Sequence, residues 1–413
     1  VALLLLMIAV MPYEQSPYLY LDESFLGVFV DFTVIKAIGL AGFAWALVRL
    51  AAGGVPEGVF SARPARLFLI FFGGVVLAGL LSGSGFVPFQ RFLAFLLFLP
   101  FVLAAVRTQD DLRRVLQAVV LSLALTFPYA VRQMVRFDAR LGTGLYEPNY
   151  FAANLVLAIP VALALAATAP TRGRRLAWYG AAGVLATSLL LTASRGGFLG
   201  LVAAGAVYAY RRRGPAAALG LLALLVLAAL PTPLGERAVA TLGGGEAPPG
   251  LEESNRAHLA LLGAALAMIA DAPLTGVGPD RFKAVSAAYT GLERGFIAHN
   301  SYLEIGAEMG LPVLAAFVLL LAAAFGALRA GTRLAGGPPA AHALAAWAEG
   351  LRSGLTGFLV AGAFISAQYE KWFWLVVFLS IVVARLAREH AAASARLQAS
   401  ASRLTPAPVG RVA

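Results

Sequence analysis

The run FAANLVLAIPVALALAATA, Phe151–Ala169, decides the class of fold. It holds no charged side chain, and a helix needs about 20 such residues to cross the hydrocarbon of a bilayer. Comparable runs precede it from about Phe25 to Leu50, Leu67 to Leu81, Phe92 to Val106 and Val115 to Met134. After it come Leu176 to Ala193, Gly196 to Tyr210, Ala216 to Leu230, Leu311 to Leu328, Leu351 to Ala367 and Trp372 to Ala384. The opening Val1–Met11 is apolar and short, either a shortened first span or the core of a signal peptide. The expectation is an all-α, polytopic transmembrane bundle of about twelve spans. Composition agrees: 60% of the 413 residues are hydrophobic and 13% charged, with a mean hydropathy of +0.81. Such a chain is solvated by lipid rather than water.

A net charge of +11 raises the question of nucleic acid. The basic residues form no continuous patch; they sit in short clusters between the apolar runs, as membrane topology requires, and nucleic acid is excluded as a partner. Arg63 and Arg66, then Arg107, Arg113 and Arg114, then Arg172, Arg174 and Arg175, then Arg211, Arg212 and Arg213 fall on alternate connections. With twelve spans, Arg329, Arg333 and the tail arginines Arg385, Arg388, Arg396 and Arg403 share that side, so both termini are expected in the cytoplasm. The expected organisation is about nine spans over residues 1–231, a large periplasmic loop over 232–300, about three spans over 301–390, and a disordered basic cytoplasmic tail over 391–413. So long a connection is a place for function. Its first part, with Gly243, Gly244, Gly245, Pro248 and Pro249, is rich in helix breakers. A helix over 254–270, capped by Ser254 and carrying Leu259, Leu262, Leu266 and Ile269 at helical spacing, is expected to lie on the membrane surface.

Four places could carry chemistry. Arg195 lies in Thr192-Ala193-Ser194-Arg195-Gly196-Gly197, where one run ends and the next begins. It is either a snorkelling arginine at a tight turn or an anion site, in which amides left bare by Gly196 and Gly197 and a bidentate guanidinium hold a phosphate. Arg256, Arg281 and Lys283 add cations to the long loop, where Glu252, Glu253 and Asp280 are available to pair with them. His299, with Asn300 beside it and Glu304 one helical turn on, is a base for an acceptor hydroxyl near neutral pH. His258 and His342 read as structural. Glu147-Pro148-Asn149-Tyr150 is a helix cap at the interface or the wall of a polar cleft built from Asn149 and Tyr150. Asp31 and Lys36 fall inside a predicted span. The chain has no cysteine, and no His or carboxylate cluster has metal-ligand spacing, so neither a metal nor another cofactor is expected.

The coupling of Arg195-Gly196-Gly197-Phe198-Leu199 to a long loop with Arg256 and Pro273-Leu274-Thr275-Gly276-Val277-Gly278, and then to His299-Asn300 with Gly310 ten residues past the Asn, resembles the bacterial O-antigen ligase and polymerase superfamily. The resemblance implies a GT-C-like, metal-independent, inverting glycosyltransferase of the inner membrane. It would transfer a glycan from undecaprenyl pyrophosphate to a hydroxyl of lipid A-core on the periplasmic face. In that scheme Arg195 and Arg256 hold the pyrophosphate and His299 is the general base. A polymerase that extends lipid-linked repeat units, with a chain-length regulator as partner, shares these residues. A lipid-linked glycan flippase is the reading from another class, and it would place its ionisable residues on a path through the membrane.

Overall fold

The computed structural model describes the chain apart from residues 15, 26–28, 57, 85–88, 143–145, 233, 234, 237, 238, 240–250 and 405–413. The breaker-rich part of the long loop lies outside the described residues. A short antiparallel hairpin, β1 (Tyr20–Phe25) and β2 (Phe29–Thr33), pairs Asp22 with Phe32 and Ser24 with Val30. The helices are α1 (Ala2–Val10), α2 (Val34–Ala51), α3 (Arg63–Leu81), α4 (Phe89–Ala105), α5 (Gln109–Ala124), α6 (Phe127–Phe137), α7 (Pro148–Ala167) and α8 (Arg172–Leu191). They continue with α9 (Arg195–Arg213), α10 (Pro215–Ala229), α11 (Leu251–Asp271), α12 (Phe282–Thr290), α13 (Ser301–Thr332), α14 (Pro339–Ala361) and α15 (Lys371–Leu404).

The bundle is helical and polytopic, but the expectation of about twelve spans is overturned. Five described stretches are long and apolar enough to cross a membrane: Val34–Ala51, Arg63–Leu81, Gln109–Phe137, Pro148–Ala167 and Ser301–Thr332. Run length overcounted for two physical reasons. Helices α1, α4 and α10 have 9, 17 and 15 residues, and at about 1.5 Å per residue they fall short of the hydrocarbon thickness. Others extend beyond their apolar runs into charged residues: α8 opens on Arg172, Arg174 and Arg175, α9 closes on Arg211, Arg212 and Arg213, and α14 carries Glu349 and Arg352. The count of alternate connections that placed both termini on one side goes with the twelve spans.

Two further boundaries differ. The first long run starts as the hairpin, so Asp31 stands on β2 and Lys36 in the first turn of α2, whose cap Thr33 accepts from the Lys36 amide at 3.4 Å. Helix α15 continues to Leu404, so residues 391–404 are helical rather than a disordered tail.

The core is aromatic where α3, α4, α13 and α15 meet. Trp374, fully buried, has Phe68 and Phe95 each at 5.2 Å between ring centroids, with Phe71, Phe317 and Phe378 around it. Helices α7, α9 and α14 close up through small residues. A Cβ on Gly357 of α14 would lie 2.4 Å from the Gly200 carbonyl of α9, and one on Gly354 would lie 2.5 Å from the Leu157 carbonyl of α7. Backbones this close gain dispersion contacts that bulkier residues would forbid.

Candidate active site

His299 sits on the turn that leads into α13. Asn300 caps the helix, its side-chain oxygen accepting from the amides of Tyr302 and Leu303 at 3.1 and 3.0 Å. The turn is pinned to the segment after α14. The Ser301 amide donates to the Gly362 carbonyl at 2.8 Å, the Asn300 side-chain amide to the Ala363 carbonyl at 3.1 Å, and the Ser301 hydroxyl to the Ile365 carbonyl at 2.7 Å. Glu304 is buried and works through the backbone rather than on the imidazole. It accepts from the Ala298 amide at 2.8 Å, from the Gln368 side chain at 2.6 Å and from the Ser366 hydroxyl. Glu304 is thus a positioning residue for the turn.

Gly310 explains why a glycine stands ten residues after Asn300. Its φ of 81° breaks α13, and Pro312 has no amide to donate, so the carbonyls of Ala307 and Glu308 lose their helical partners. The Pro273–Gly278 turn restores them: the amides of Val277 and Gly278 donate to the Ala307 and Glu308 carbonyls at 2.9 Å each, and the Leu311 amide donates to the Pro273 carbonyl at 2.8 Å. The Glu308 carboxylate, also buried, accepts from the Phe282 amide at 3.0 Å and from the Tyr369 hydroxyl at 3.1 Å. The kink in one helix therefore organises the loop that leads through Arg281 into α12 and Lys283.

Arg195 opens α9, with Ser194 as its cap accepting from the Gly197 amide at 3.2 Å. The two glycines serve packing. A Cβ on Gly196 would lie 2.7 Å from the Cβ of Phe364, and one on Gly197 would lie 2.5 Å from the Cβ of Ala152. The Gly197 amide is taken by the cap, so the bare-amide cradle inferred from the sequence is not what this glycine provides. Because Phe364 and Ala363 belong to the segment that holds the His299 turn, the start of α9 and His299 are joined through residues 362–366.

Three of the four described non-glycine residues with positive φ fall in these loops: Ala193 at 50°, Asp280 at 57° and His299 at 51°. Each such conformation costs on the order of 1–3 kcal/mol and is kept where surrounding contacts over-determine it, which is common at functional sites.

Helix α11 brings His258 against His299, with ring centroids 4.6 Å apart and planes at 37°. Burial, and then the neighbouring His258, push the His299 pKa down to about 4, so its imidazole is neutral near pH 7 with its lone pair free of a proton. The structural reading of His258 missed this contact, because helical spacing alone does not say which face meets a distant loop. The helix starts at Leu251, ahead of Ser254, and carries the exposed Arg256. It buries Leu261, Ala264, Ala265 and Met268 against Phe282, Ala298 and Ala307, leaving Leu259 and Leu266 exposed.

Arg281 and Lys283 are exposed. Asp280, just before them, pairs with Arg91 at 3.1 Å; its carboxyl is raised by burial, against the opposing pull of Arg91 and Lys283. Arg91 also lies over the Tyr369 ring, 5.0 Å from its centroid. Asn149 and Tyr150 form the start of α7 under the cap Glu147. Asn149 is held by Arg140 at 2.9 Å, and Arg140 also donates to the Thr192 carbonyl at 2.6 Å, tying this cap to the approach to Arg195. Tyr150 lies within electrostatic reach of Glu304 and Arg91. Sequence reasoning passed over Arg91, Arg140, Glu308, Ser366 and Gln368. Only Glu308 left a signal, a second carboxylate four residues after Glu304 in an apolar run.

These features define a polytopic α-helical membrane protein in which a half-buried histidine turn is tied to the arginine-led start of a neighbouring helix. Residues 180–318 match the family model described as O-Antigen ligase, and the chain carries a domain of that glycosyltransferase-type family over this stretch. The match takes in Arg195, Arg256, His299 and Gly310. A comparison with curated proteins finds no match.

Proposed function

We propose that this protein is an inner-membrane glycosyltransferase that joins a glycan from undecaprenyl pyrophosphate to an acceptor hydroxyl, lipid A-core being the acceptor for a ligase. The observation that carries the reading is the His299 turn: a base kept neutral by burial, on a strained turn, joined through residues 362–366 to the helix start bearing Arg195. In the proposed step the acceptor oxygen attacks the anomeric carbon while its proton passes to His299. The bond from that carbon to the pyrophosphate oxygen breaks, and its electron pair leaves with the polyprenyl pyrophosphate. Attack opposite the leaving group inverts the anomeric centre. Arg195 and Arg256 neutralise the charge that develops on the leaving group, the part a divalent metal plays elsewhere. Arg281, Lys283, Asn149, Tyr150 and Asn300 line the approach.

The arginine-bearing ends of α9 and α13, which meet at one cavity, then face the cytoplasm, and His299 faces the periplasm. A transporter would keep His299 apart from Arg195, with charges along a path between them; the shared segment 362–366 favours transfer chemistry instead.

The test is transfer of a defined undecaprenyl pyrophosphate glycan to purified acceptors in EDTA. Wild type is expected to transfer, and folded His299→Ala and Arg195→Ala variants to lose about 10²–10⁴-fold. Transfer to lipid A-core identifies a ligase, and transfer to a second lipid-linked glycan a polymerase. Unchanged rates in both variants would overturn the site.

A further inference from the structure

At the end of the bundle away from His299, a cavity of ≈ 590 Å³ opens between the end of α9, the start of α10, the end of α13 and the start of α14. Its walls include Tyr210, Arg211, Arg212, Pro215, His342 and Glu349. One buried carboxylate serves two guanidinium groups there: Glu349 takes Arg211 at 3.1 Å and Arg352 at 3.6 Å, with the Ser353 hydroxyl at 3.4 Å. Arg352 also feels the positive charge of Arg211 and Arg329, and Arg212 stands over the Tyr208 ring at 5.5 Å. Cations outnumber the carboxylate, and an anion in the cavity would relieve their repulsion.

We propose that this cavity binds the phosphate of an anionic membrane lipid, separately from the glycan chemistry at His299. Two observations select a lipid over a free phosphate. Helix α10 begins at Pro215 in the cavity wall and then exposes Leu219, Leu224 and Leu227 at 66%, 62% and 64%, an apolar track for acyl chains leading away from the charged mouth. Helix α13, one of the five stretches long and apolar enough to cross a membrane, runs from the His299 turn to Thr332 in the cavity wall, so the cavity stands at the headgroup level opposite the candidate active site. Arginine suits this ligand, since its planar fork matches two phosphate oxygens at once. Glu349 holds Arg211 and Arg352 in register for it.

The experiment is native mass spectrometry of the full-length, delipidated protein titrated with phosphatidylglycerol, diacylglycerol or glycerol 3-phosphate. Wild type is expected to retain phosphatidylglycerol in preference to both others. Arg212→Gln is expected to weaken that retention about fivefold, the value of one cation near an anionic headgroup. Because Arg211→Gln alone would leave Glu349 buried and without that partner, the paired Arg211→Gln/Glu349→Gln variant is the second arm, with circular dichroism to confirm its fold. It too is expected to lose phosphatidylglycerol. Wild-type retention in Arg212→Gln and in the folded pair would overturn the site. Diacylglycerol held as well as phosphatidylglycerol would remove the phosphate from the proposal, and glycerol 3-phosphate bound as tightly as the lipid would overturn the lipid assignment.

Discussion

His299 illustrates how burial, more than any single partner, sets the state of a residue. Its imidazole must be neutral to accept a proton, and a pKa pushed down to about 4 from 6.5 keeps it so far into acid. The acid limb of kcat/KM should therefore fall near pH 4 rather than near 6.5, and a pH profile of transfer by the purified enzyme checks this. His258→Ala should move that limb only partly back towards 6.5, because desolvation is the larger cause and the neighbouring histidine the smaller. Glu304 acts differently, by receiving three donors that hold the turn. Glu304→Gln would aim an NH₂ group at donors already in place, and should cost about 1–3 kcal/mol, read as a lower thermal midpoint in detergent.

The broken helix α13 is the element on which the site is built. A straight helix would satisfy its own carbonyls and have nothing to offer the Pro273–Gly278 turn. The break at Gly310 exposes two carbonyls, and that turn is what they bind. Gly310→Ala places a Cβ 2.4 Å from the Leu274 carbonyl and strains a φ of 81°, the strain alone costing about 1–2 kcal/mol. The turn is expected to detach, with faster hydrogen exchange at the amides of Val277 and Gly278 and a loss of transfer while His299 itself is unchanged. Retained protection at both amides would show that the kink does not depend on this glycine.

For the molecule as a whole, the close crossing of α7, α9 and α14 sets the relation between Arg195 and His299. Arg195 starts α9, and the segment after α14 carries Phe364 against Gly196 and Ala363 against Asn300. Gly357→Leu, which has no room beside the Gly200 carbonyl and Val156, should push α14 off α9. Transfer is then expected to fall at least tenfold, with the two candidate groups both present but separated, as misplacement by about 1 Å can cost 10²-fold. Steady-state transfer by folded Gly357→Leu, with circular dichroism as control, measures this, and wild-type activity would show that the crossing does not position the site.

Composition and apolar run length determined that this chain is a helical membrane protein, because hydrocarbon demands that each backbone group be satisfied within its own segment. The motifs around Arg195, Arg256, His299 and Gly310 were legible as a family resemblance, because each is a short run of neighbouring residues, and the stretch that matches the family model, 180–318, holds all four. Only the tertiary structure decided how many stretches are long and apolar enough to cross, because helices continue past the ends of apolar runs into charged residues such as Glu349, which pairs with Arg352 on its own helix and with Arg211 on a neighbouring one. It alone also brought His258 to His299, Ser366 and Gln368 to Glu304, and Arg140 to Asn149. Those partners are separated in the chain by between 9 and 64 positions, and contacts that join different elements leave no period in a single sequence.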